Sequence, residues 1–356
     1  MFRGFFGFKS INEQSKRDRI YSVDLLEKQS NKRKYEQEKV ELKNRFELWK
    51  DPGEKKFVGL KVVFDSRKSI DEGARELLKI LEDFDINCSL FFASGVDGKG
   101  ESFLSLLNPF FYGEITKSKS LKAEGFKTLF SGLLLPTKNI GTIPDDLKNK
   151  ILEKNYDIGS YCFSPSKWVK AVNSRNEDLI SLLYHQSIDN FEETFKGKKC
   201  SSFSAPYFIC SNATMLLKEN LYFDYSSDCR GIDPFFPVID TRVLKTPQVP
   251  VTLPMMSEFF YINGEKPEHY FDLLLEEISK QRYPVYEINP LFEIKLHKRE
   301  FRKFLENALK NGITFISLRD VMAIRVKNEK PLPRCTLSYG LMEGRRRPVT
   351  IQMLEV

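Results

Sequence analysis

Short apolar segments alternate with longer amphipathic segments between Phe57 and Met322. Six of the short segments have the apolar, β-branched and aromatic character of buried parallel strands. They are FVGLKVVFD from Phe57, CSLFFASG from Cys88, DIGSYCF from Asp157, CSSFSAP from Cys200, PVYEIN from Pro284 and ITFISL from Ile313. The longer segments show helical spacing, and they are IDEGARELLKILEDF, EDLISLLYHQSIDNFEETF, FDLLLEEISKQ and REFRKFLENALKNG. This alternation predicts an α/β fold with a parallel sheet, either open or closed into a barrel.

Two regions of the chain depart from this alternation. Residues 12–50 are rich in charge, lack Pro and Gly, and show broken helical spacing that ends at Asp51-Pro52-Gly53, which predicts one or two solvated helices. After Met322 the pattern lapses into a segment with a basic turn, for which we expect one or two edge strands. We therefore divide the chain into a helical N-terminal extension (1–53), a main domain (54–325) and a C-terminal tail (326–356).

Composition narrows the class of protein. Of the 356 residues, 41% are hydrophobic, which excludes a wholly disordered chain. The formal net charge is +7, which permits an anionic ligand or surface without requiring one, and we predict no nucleic-acid partner. The six cysteines form no C-x-x-C pair, which favours a reducing cytoplasm. No signal-peptide pattern and no long apolar run occurs, so we expect neither export by that route nor a membrane span.

The first ten residues form an aromatic and basic cluster. Its members are Phe2, Arg3, Phe5, Phe6, Phe8 and Lys9. Phenylalanines beside cations are able to insert into a bilayer interface while the cations meet anionic headgroups, which predicts peripheral contact with the inner face of the cytoplasmic membrane. A loose arm, or a helix packed on the main domain, is the simpler interpretation, and the sequence leaves both open.

Ligands of α/β folds lie at the carboxyl ends of the strands, so the residues there are the candidates for a site. The candidate segments are residues 65–66, 95–100, 161–165, 204–207 and 228–231, together with Asn289. They are polar but contain no histidine. His185, His269 and His297 fall within or at the start of predicted helices, where we expect surface or boundary positions, and no two are spaced as a metal-binding pair.

Two of these segments have a more specific chemistry. GVDGKG, residues 95–100, follows a strand but lacks the G-x-x-x-x-G-K-[ST] frame, so a simple turn is favoured over a phosphate loop. In DCRG, Asp228 and Arg230 are able to form a polar corner that presents Arg230 to an anionic ligand, and a purely structural Asp–Arg pair explains the motif equally well. Cys229 has no histidine nearby in sequence, which predicts a buried thiol rather than a nucleophile.

The same strand ends resemble a known family. The chain is similar to the NodB-homology polysaccharide deacetylases, and within them to the deformylases that act on formamido-arabinose linked to undecaprenyl phosphate in lipid A modification. The most specific pieces are VGLKVVFDS, FFASGVDGKG, LFSGLLLPTKNIG, YSSDCRG and QVPVTLP, in an order and spacing that match those deformylases. The resemblance runs from about Phe57 to Met322 and implies a distorted (β/α) barrel of about seven parallel strands.

The resemblance also implies a chemistry, and the chain departs from it. The family hydrolyses an N-acyl sugar with a divalent metal held by one aspartate and two histidines, while a second aspartate acts as base and a late histidine as acid. At the matching positions this chain keeps only the metal aspartate, Asp65. The other positions are replaced, namely the base by Val63, the two metal histidines by Tyr161 and Pro165, the arginine of the R-x-P-Y-like motif by Ser204 and the acid by Asn289.

These replacements predict that the metal chemistry is lost. Valine has no lone pair, proline offers no side-chain ligand, and a neutral tyrosine is a poor zinc ligand beside a single carboxylate. We therefore expect no metal cofactor and no confident catalytic residue, with Asp65 the one candidate. The surrounding shell predicts a ligand-binding set consisting of Asp65, Gly95, Asp97, Lys138, Tyr161, Tyr207, Asp228, Arg230 and Asn289.

Three functional hypotheses follow. The leading one is a pseudoenzyme that binds a lipid-linked amino sugar, or a partner enzyme of envelope glycan assembly, without hydrolysing it. The second is an active deacetylase or deformylase, a hydrolase of carbon–nitrogen amide bonds, whose catalytic groups have moved to residues such as Asp65, Tyr161, Asp228 and Arg230. The third is a scaffold that acts through its N-terminal extension and C-terminal tail and leaves the barrel empty.

Overall fold

The computed structural model describes residues 56–97, 116–125, 138–327, 331–345 and 347–355. The helical N-terminal extension predicted for residues 1–53 lies outside the described residues. Within the described ranges, the strands and helices form the alternating pattern that the sequence predicts. None of the helices in these ranges combines the length and the apolar character that crossing a bilayer requires.

A parallel sheet of seven strands forms the centre of the molecule, in the order β10-β1-β2-β5-β6-β7 with β11 beside the start of β1. Its strands are β1 (Phe57–Phe64), β2 (Ser89–Phe92), β5 (Asp157–Ser160), β6 (Ser202–Phe203), β7 (Tyr225–Ser226), β10 (Val285–Ile288) and β11 (Thr314–Ile316). All six predicted strand segments are confirmed. The seventh strand, β7, has only two residues and lies in the YSSDCRG motif, which is not among the six predicted strand segments.

Ten α-helices accompany the described strands. They are α1 (Arg75–Asp83), α2 (Ser120–Glu124), α3 (Asp145–Glu153), α4 (Pro165–Asn173), α5 (Glu177–Thr194), α6 (Asn212–Lys218), α7 (Met256–Asn263), α8 (Pro267–Lys280), α9 (Lys298–Lys310) and α10 (Leu318–Lys327). Two π-helical turns, Ser69–Ala74 and Leu291–Leu296, precede α1 and α9. The four predicted helical stretches are confirmed as α1 with its π-helical turn, α5, α8 and α9.

The segment QVPVTL, residues 248–253, spans the open side of the sheet. On one side Val249 donates to the carbonyl of Ser226 at the end of β7 (2.7 Å). On the other side Leu253 donates to the carbonyl of Val285 in β10 (3.1 Å). Because this segment bonds to both edge strands, it closes the sheet into the distorted (β/α) barrel expected for the polysaccharide deacetylase-like fold.

The C-terminal segment packs against this barrel. Strands β12 (Arg334–Gly340) and β13 (Val349–Glu355) form an antiparallel hairpin, which joins β8 (Phe236–Ile239) and β9 (Arg242–Val243) in a second sheet. The backbone of Arg230 donates to Thr350 (2.9 Å) and accepts from Gln352 (2.8 Å), so β13 also extends the barrel wall. The expected strands around a basic turn are present, and α10 continues past the predicted boundary at residue 326.

Candidate functional site

A cavity of about 250 Å³ lies at the carboxyl ends of the barrel strands. Its wall combines residues from strand ends with residues from α7 and from the turn of the C-terminal hairpin. Those that matter most for its chemistry are Asp65, Tyr161, Glu258, Glu287, Asn289 and Arg345. The cavity therefore occupies the place where an α/β fold positions its ligand.

The first strand supplies Val63 and Asp65 to the cavity. Because side chains alternate along a strand, Lys61, Val63 and Asp65 point to the same side of β1, which is the barrel interior. Asp65 is buried, with 5% of its surface exposed, and lines the cavity beside Val63. A carboxylate thus reaches the cavity, while the position two residues earlier supplies only methyl groups.

Tyr161 follows β5 and is fixed by Tyr207. Its hydroxyl accepts a hydrogen bond from the backbone N–H of Tyr207 (2.8 Å), and the two rings meet edge to face with centroids 6.4 Å apart. Burial raises the pKa of the Tyr161 phenol well above its ordinary value, so this side chain is neutral at physiological pH. Pro165 is the first residue of α4 and supplies no donor atom from its ring.

Asn289 lies at the end of β10, and its amide is engaged in a local turn. The side-chain oxygen accepts from the N–H of Leu291 (3.0 Å), and the backbone N–H donates to Glu293 Oε2 (3.0 Å). Burial raises the pKa of Glu293 to about 8. Since an amide does not titrate, Asn289 is unable to act as a general acid.

A buried set of charges lies behind and beside these residues, and sequence reasoning missed most of it. Lys61 Nζ forms an ion pair with Glu287 (2.8 Å) and donates to the carbonyl of Ser227 (2.9 Å). Glu258 lies between two arginines, Arg230 at 3.4 Å and Arg345. The available signal was a lysine within the apolar run FVGLKVVF and a glutamate within PVYEIN, because a charge in a buried strand requires a partner.

Glu258 and the two arginines beside it are ionised in the folded protein. Burial alone raises the pKa of Glu258, but Arg230 and Arg345 outweigh it and lower the pKa below the ordinary value. Burial lowers the pKa of Arg230, yet a guanidinium stays protonated. All members of this group are therefore charged, with two cations sharing one carboxylate.

The predicted Asp228–Arg230 corner is not an ion pair. Asp228 is buried and bonds to Lys218 and to Gln248 Nε2 (3.0 Å), and it also accepts from the N–H of Ala205 (2.7 Å). Arg230 bonds instead to Glu258. Neither side chain lines the cavity, so the structure does not place Asp228 or Arg230 with Asp65, Tyr161, Tyr207 and Asn289, which it does bring together.

The remaining predicted site residues surround the loop after β2. Gly95 packs against the backbone of Phe163, since a Cβ added there lies 2.5 Å from that carbonyl oxygen, and this favours the turn interpretation. Asp97 and Lys138 pair through their backbones in the short strands β3 (Val96–Asp97) and β4 (Lys138–Asn139). Their side chains lie outside the described residues.

The remaining sequence expectations concern one cysteine and three histidines. Cys229 is fully buried, and burial raises its thiol pKa, which confirms the inert thiol. His185 and His269 are exposed as expected. The expectation for His297 was wrong, because its imidazole is only 7% exposed and packs edge to face on Phe260, with centroids 5.3 Å apart.

Comparison with known proteins agrees with these motifs and this fold. No protein-family model matches the chain. Two curated relatives are named probable 4-deoxy-4-formamido-L-arabinose-phosphoundecaprenol deformylase ArnD. The one from Wigglesworthia glossinidia brevipalpis is 28% identical over 77% of this chain and 94% of its own length, and the one from Shewanella sediminis is 26% identical over 74% and 85%. A solved structure described as a polysaccharide deacetylase from Mycobacterium smegmatis superimposes with a TM-score of 0.53 at 13% identity, over 83% of this chain and 97% of that one. This chain is therefore similar in sequence to these deformylases and similar in fold to that deacetylase.

The donor atoms at the cavity do not fit the divalent metal that the resemblance implies. Among the described residues, no three His, Cys, Asp or Glu side chains are grouped to hold an ion. At the cavity the neighbours of Asp65 include the neutral phenol of Tyr161 and the amide of Asn289, whose oxygen already accepts a hydrogen bond within a turn. Zinc sites in proteins use three or four imidazole, thiolate or carboxylate ligands, so this set is short of at least two.

Proposed function

We propose that this protein binds a lipid-linked amino-sugar phosphate of envelope glycan assembly and does not hydrolyse it by the metal-dependent route. The observation that carries the proposal is the composition of one cavity. Its wall is polar and aromatic, as a sugar site requires. The resemblance assigns the base to the position of Val63 and the two metal ligands to the positions of neutral Tyr161 and of Pro165.

Hydrolysis by the metal-dependent route requires a general base, a metal ion and a general acid, and the residues at these positions do not supply them. Removing a positioned general base typically costs about 10² to 10⁴ in rate, and here the base position is a valine. Without a metal, neither the acyl oxygen nor the attacking water is activated by a Lewis acid. Asn289 does not replace the acid, because its amide has no titratable proton.

The case for binding rests on the wall that remains. Tyr161, Tyr207 and Phe292 offer aromatic surface, and Asp65 offers a carboxylate to hydroxyl or amine donors of a sugar. The names of the two curated relatives state a sugar joined to phosphoundecaprenol, which supports the choice of this ligand class for the cavity. Such a ligand resides in a membrane, so we further propose a peripheral location at the inner face of the cytoplasmic membrane.

Metal content and turnover, measured together, test the proposal. Protein purified without chelator is analysed for zinc, cobalt and nickel, then mixed with formamido-arabinosyl undecaprenyl phosphate in detergent to follow binding and release of formate. We expect saturable binding, substoichiometric metal and no formate. One equivalent of metal, together with formate release that Asp65→Ala abolishes, overturns the proposal in favour of the active hydrolase.

A further inference from the structure

The turn of the C-terminal hairpin forms part of the cavity wall. Gly344, Arg345 and Arg347 line the cavity although they follow the segment, Phe57 to Met322, that carries the sequence motifs of the resemblance. The hairpin is held against the barrel by the backbone bonds of Arg230 to β13, and by Thr350, whose hydroxyl donates to the carbonyl of Cys210 (3.0 Å). The position of the turn is therefore fixed by the barrel itself.

Gly344 brings this turn into close contact with α7. Its φ is +80°, in the left-handed region that favours glycine, and an added Cβ lies 2.7 Å from the carbonyl oxygen of Glu258. No larger residue fits without displacing α7 or the turn. This close approach places the next residue, Arg345, directly beside the carboxylate of Glu258.

Glu258 holds one edge of the Arg345 guanidinium, and the Phe208 ring covers one of its faces. Its Nε donates to Glu258 Oε1, its Nη2 lies 2.9 Å from Met255 Sδ, and its Cζ lies 5.0 Å from the centre of the Phe208 ring. The side chain is 16% exposed. Within the described part of the chain, Nη1 of Arg345 donates no hydrogen bond, so this donor is available to a ligand in the cavity.

Arg345 belongs to a group of five charges with one positive charge in excess. Lys61 and Glu287 neutralise each other, and Arg230 and Arg345 share the carboxylate of Glu258. Arg347 adds a further cation to the cavity wall, and Asp65 and Glu124 add two carboxylates. A guanidinium with one edge fixed and one donor free is suited to a phosphate oxygen. Asp65 on the same wall is suited to the donors of a sugar.

We infer that Arg345 is a specificity-determining residue, which binds the phosphate group of the ligand and makes the C-terminal hairpin part of the binding site. This inference rests on the proposed function and adds to it the residue that recognises the anion. The recognised chemistry is a phosphate ester or free phosphate, and these two sources require separate measurements.

Binding of undecaprenyl phosphate, undecaprenol and inorganic phosphate to the full chain tests the inference. The variants are Arg345→Ala, Arg345→Lys and, as a matched control, Arg242→Ala, which removes an exposed arginine of β9. We expect Arg345→Ala to weaken undecaprenyl phosphate binding at least about tenfold, the loss of one charge-assisted hydrogen bond. Arg345→Lys keeps the positive charge and serves as a control for misfolding, and we expect it to lose less affinity than Arg345→Ala. We expect Arg242→Ala to lose no affinity.

The outcomes separate the inference from the proposed function. If the wild type and Arg345→Ala have equal affinity for undecaprenyl phosphate, the inference is overturned and the proposed function stands. Equal affinity of the wild type for undecaprenyl phosphate and undecaprenol does the same. No binding of either lipid by the wild type overturns the proposed function. Competition by inorganic phosphate that Arg345→Ala relieves supports the inference and identifies free phosphate as a second source of the anion.

Discussion

Glu293 is a buried carboxyl group that bonds to the backbone of the cavity residue Asn289. It is 1% exposed, and its two oxygens are held by the Tyr286 hydroxyl (2.8 Å) and by the N–H of Asn289 (3.0 Å). With a folded-state pKa of about 8 and an ordinary value of 4.5, it keeps its proton in the folded protein while an unfolded chain releases it. Glu293 therefore makes stability depend on pH.

The sign of this dependence yields a prediction for Glu293→Gln. Between about pH 4.5 and 8 the folded state binds more protons, so the free energy of unfolding falls as pH rises, by at most about 1.4 kcal/mol per pH unit for this group. Glutamine does not titrate, so the variant is expected to gain stability relative to wild type as pH rises through this window. Urea unfolding at several pH values measures the difference.

A matched control isolates the buried group. Glu268→Gln removes an exposed glutamate of α8 and is expected to leave the slope unchanged. Parallel stability curves for wild type and Glu293→Gln contradict the prediction, since they mean that Glu293 is already ionised in the folded protein.

Residue-level prediction from the sequence succeeded where strand ends fix the position and failed where a distant element supplies the partner. Asp65, Tyr161 and Asn289 end parallel strands, and they meet at one cavity because those ends meet. Asp228 and Arg230 are two residues apart in sequence, yet their partners Lys218 and Glu258 come from α6 and α7. No local pattern encodes such long-range pairs.

At the level of elements, hydrophobic pattern predicted the strands that are buried on both faces. It missed β7, because two residues carry no periodicity, and it did not predict that the basic turn after β12 enters the cavity. The tail strands extend the barrel wall through backbone hydrogen bonds, which form with any sequence, so the tail needs no strong apolar pattern. Because backbone bonds do not select one sequence, we expect a few side chains to fix where the hairpin docks.

Thr350→Val tests this docking. The Thr350 hydroxyl, 3% exposed, donates to the carbonyl of Cys210 (3.0 Å) and accepts from its N–H (3.1 Å). Valine keeps the volume but leaves both buried backbone groups unpaired, so we expect the free energy of unfolding to fall by about 1 to 3 kcal/mol in urea titration. Thr241→Val, an exposed threonine between β8 and β9, is the control and is expected to change little. Equal stability of the two variants contradicts a hairpin fixed by Thr350.

At the scale of the whole molecule, charge and the N-terminal cluster together predict where the protein works. The chain carries a formal net charge of +7, and residues 1–10 add four phenylalanines beside Arg3 and Lys9. Anionic headgroups attract the cations, and aromatic rings gain free energy by entering the bilayer interface. These residues lie outside the described part of the chain, so the prediction rests on sequence alone.

Vesicle sedimentation checks this prediction. We expect the full chain to sediment with anionic vesicles and a chain starting at Gly53 to stay in the supernatant. Raising the ionic strength to about 1 M should weaken sedimentation, because the Debye length falls to about 3 Å and screens the cations. A full chain carrying Phe2→Ser, Phe5→Ser, Phe6→Ser and Phe8→Ser keeps every charge, so its loss of binding measures insertion separately from attraction. Should the shortened chain sediment as well as the full one, membrane contact belongs to the barrel and its cavity mouth rather than to the N-terminal cluster.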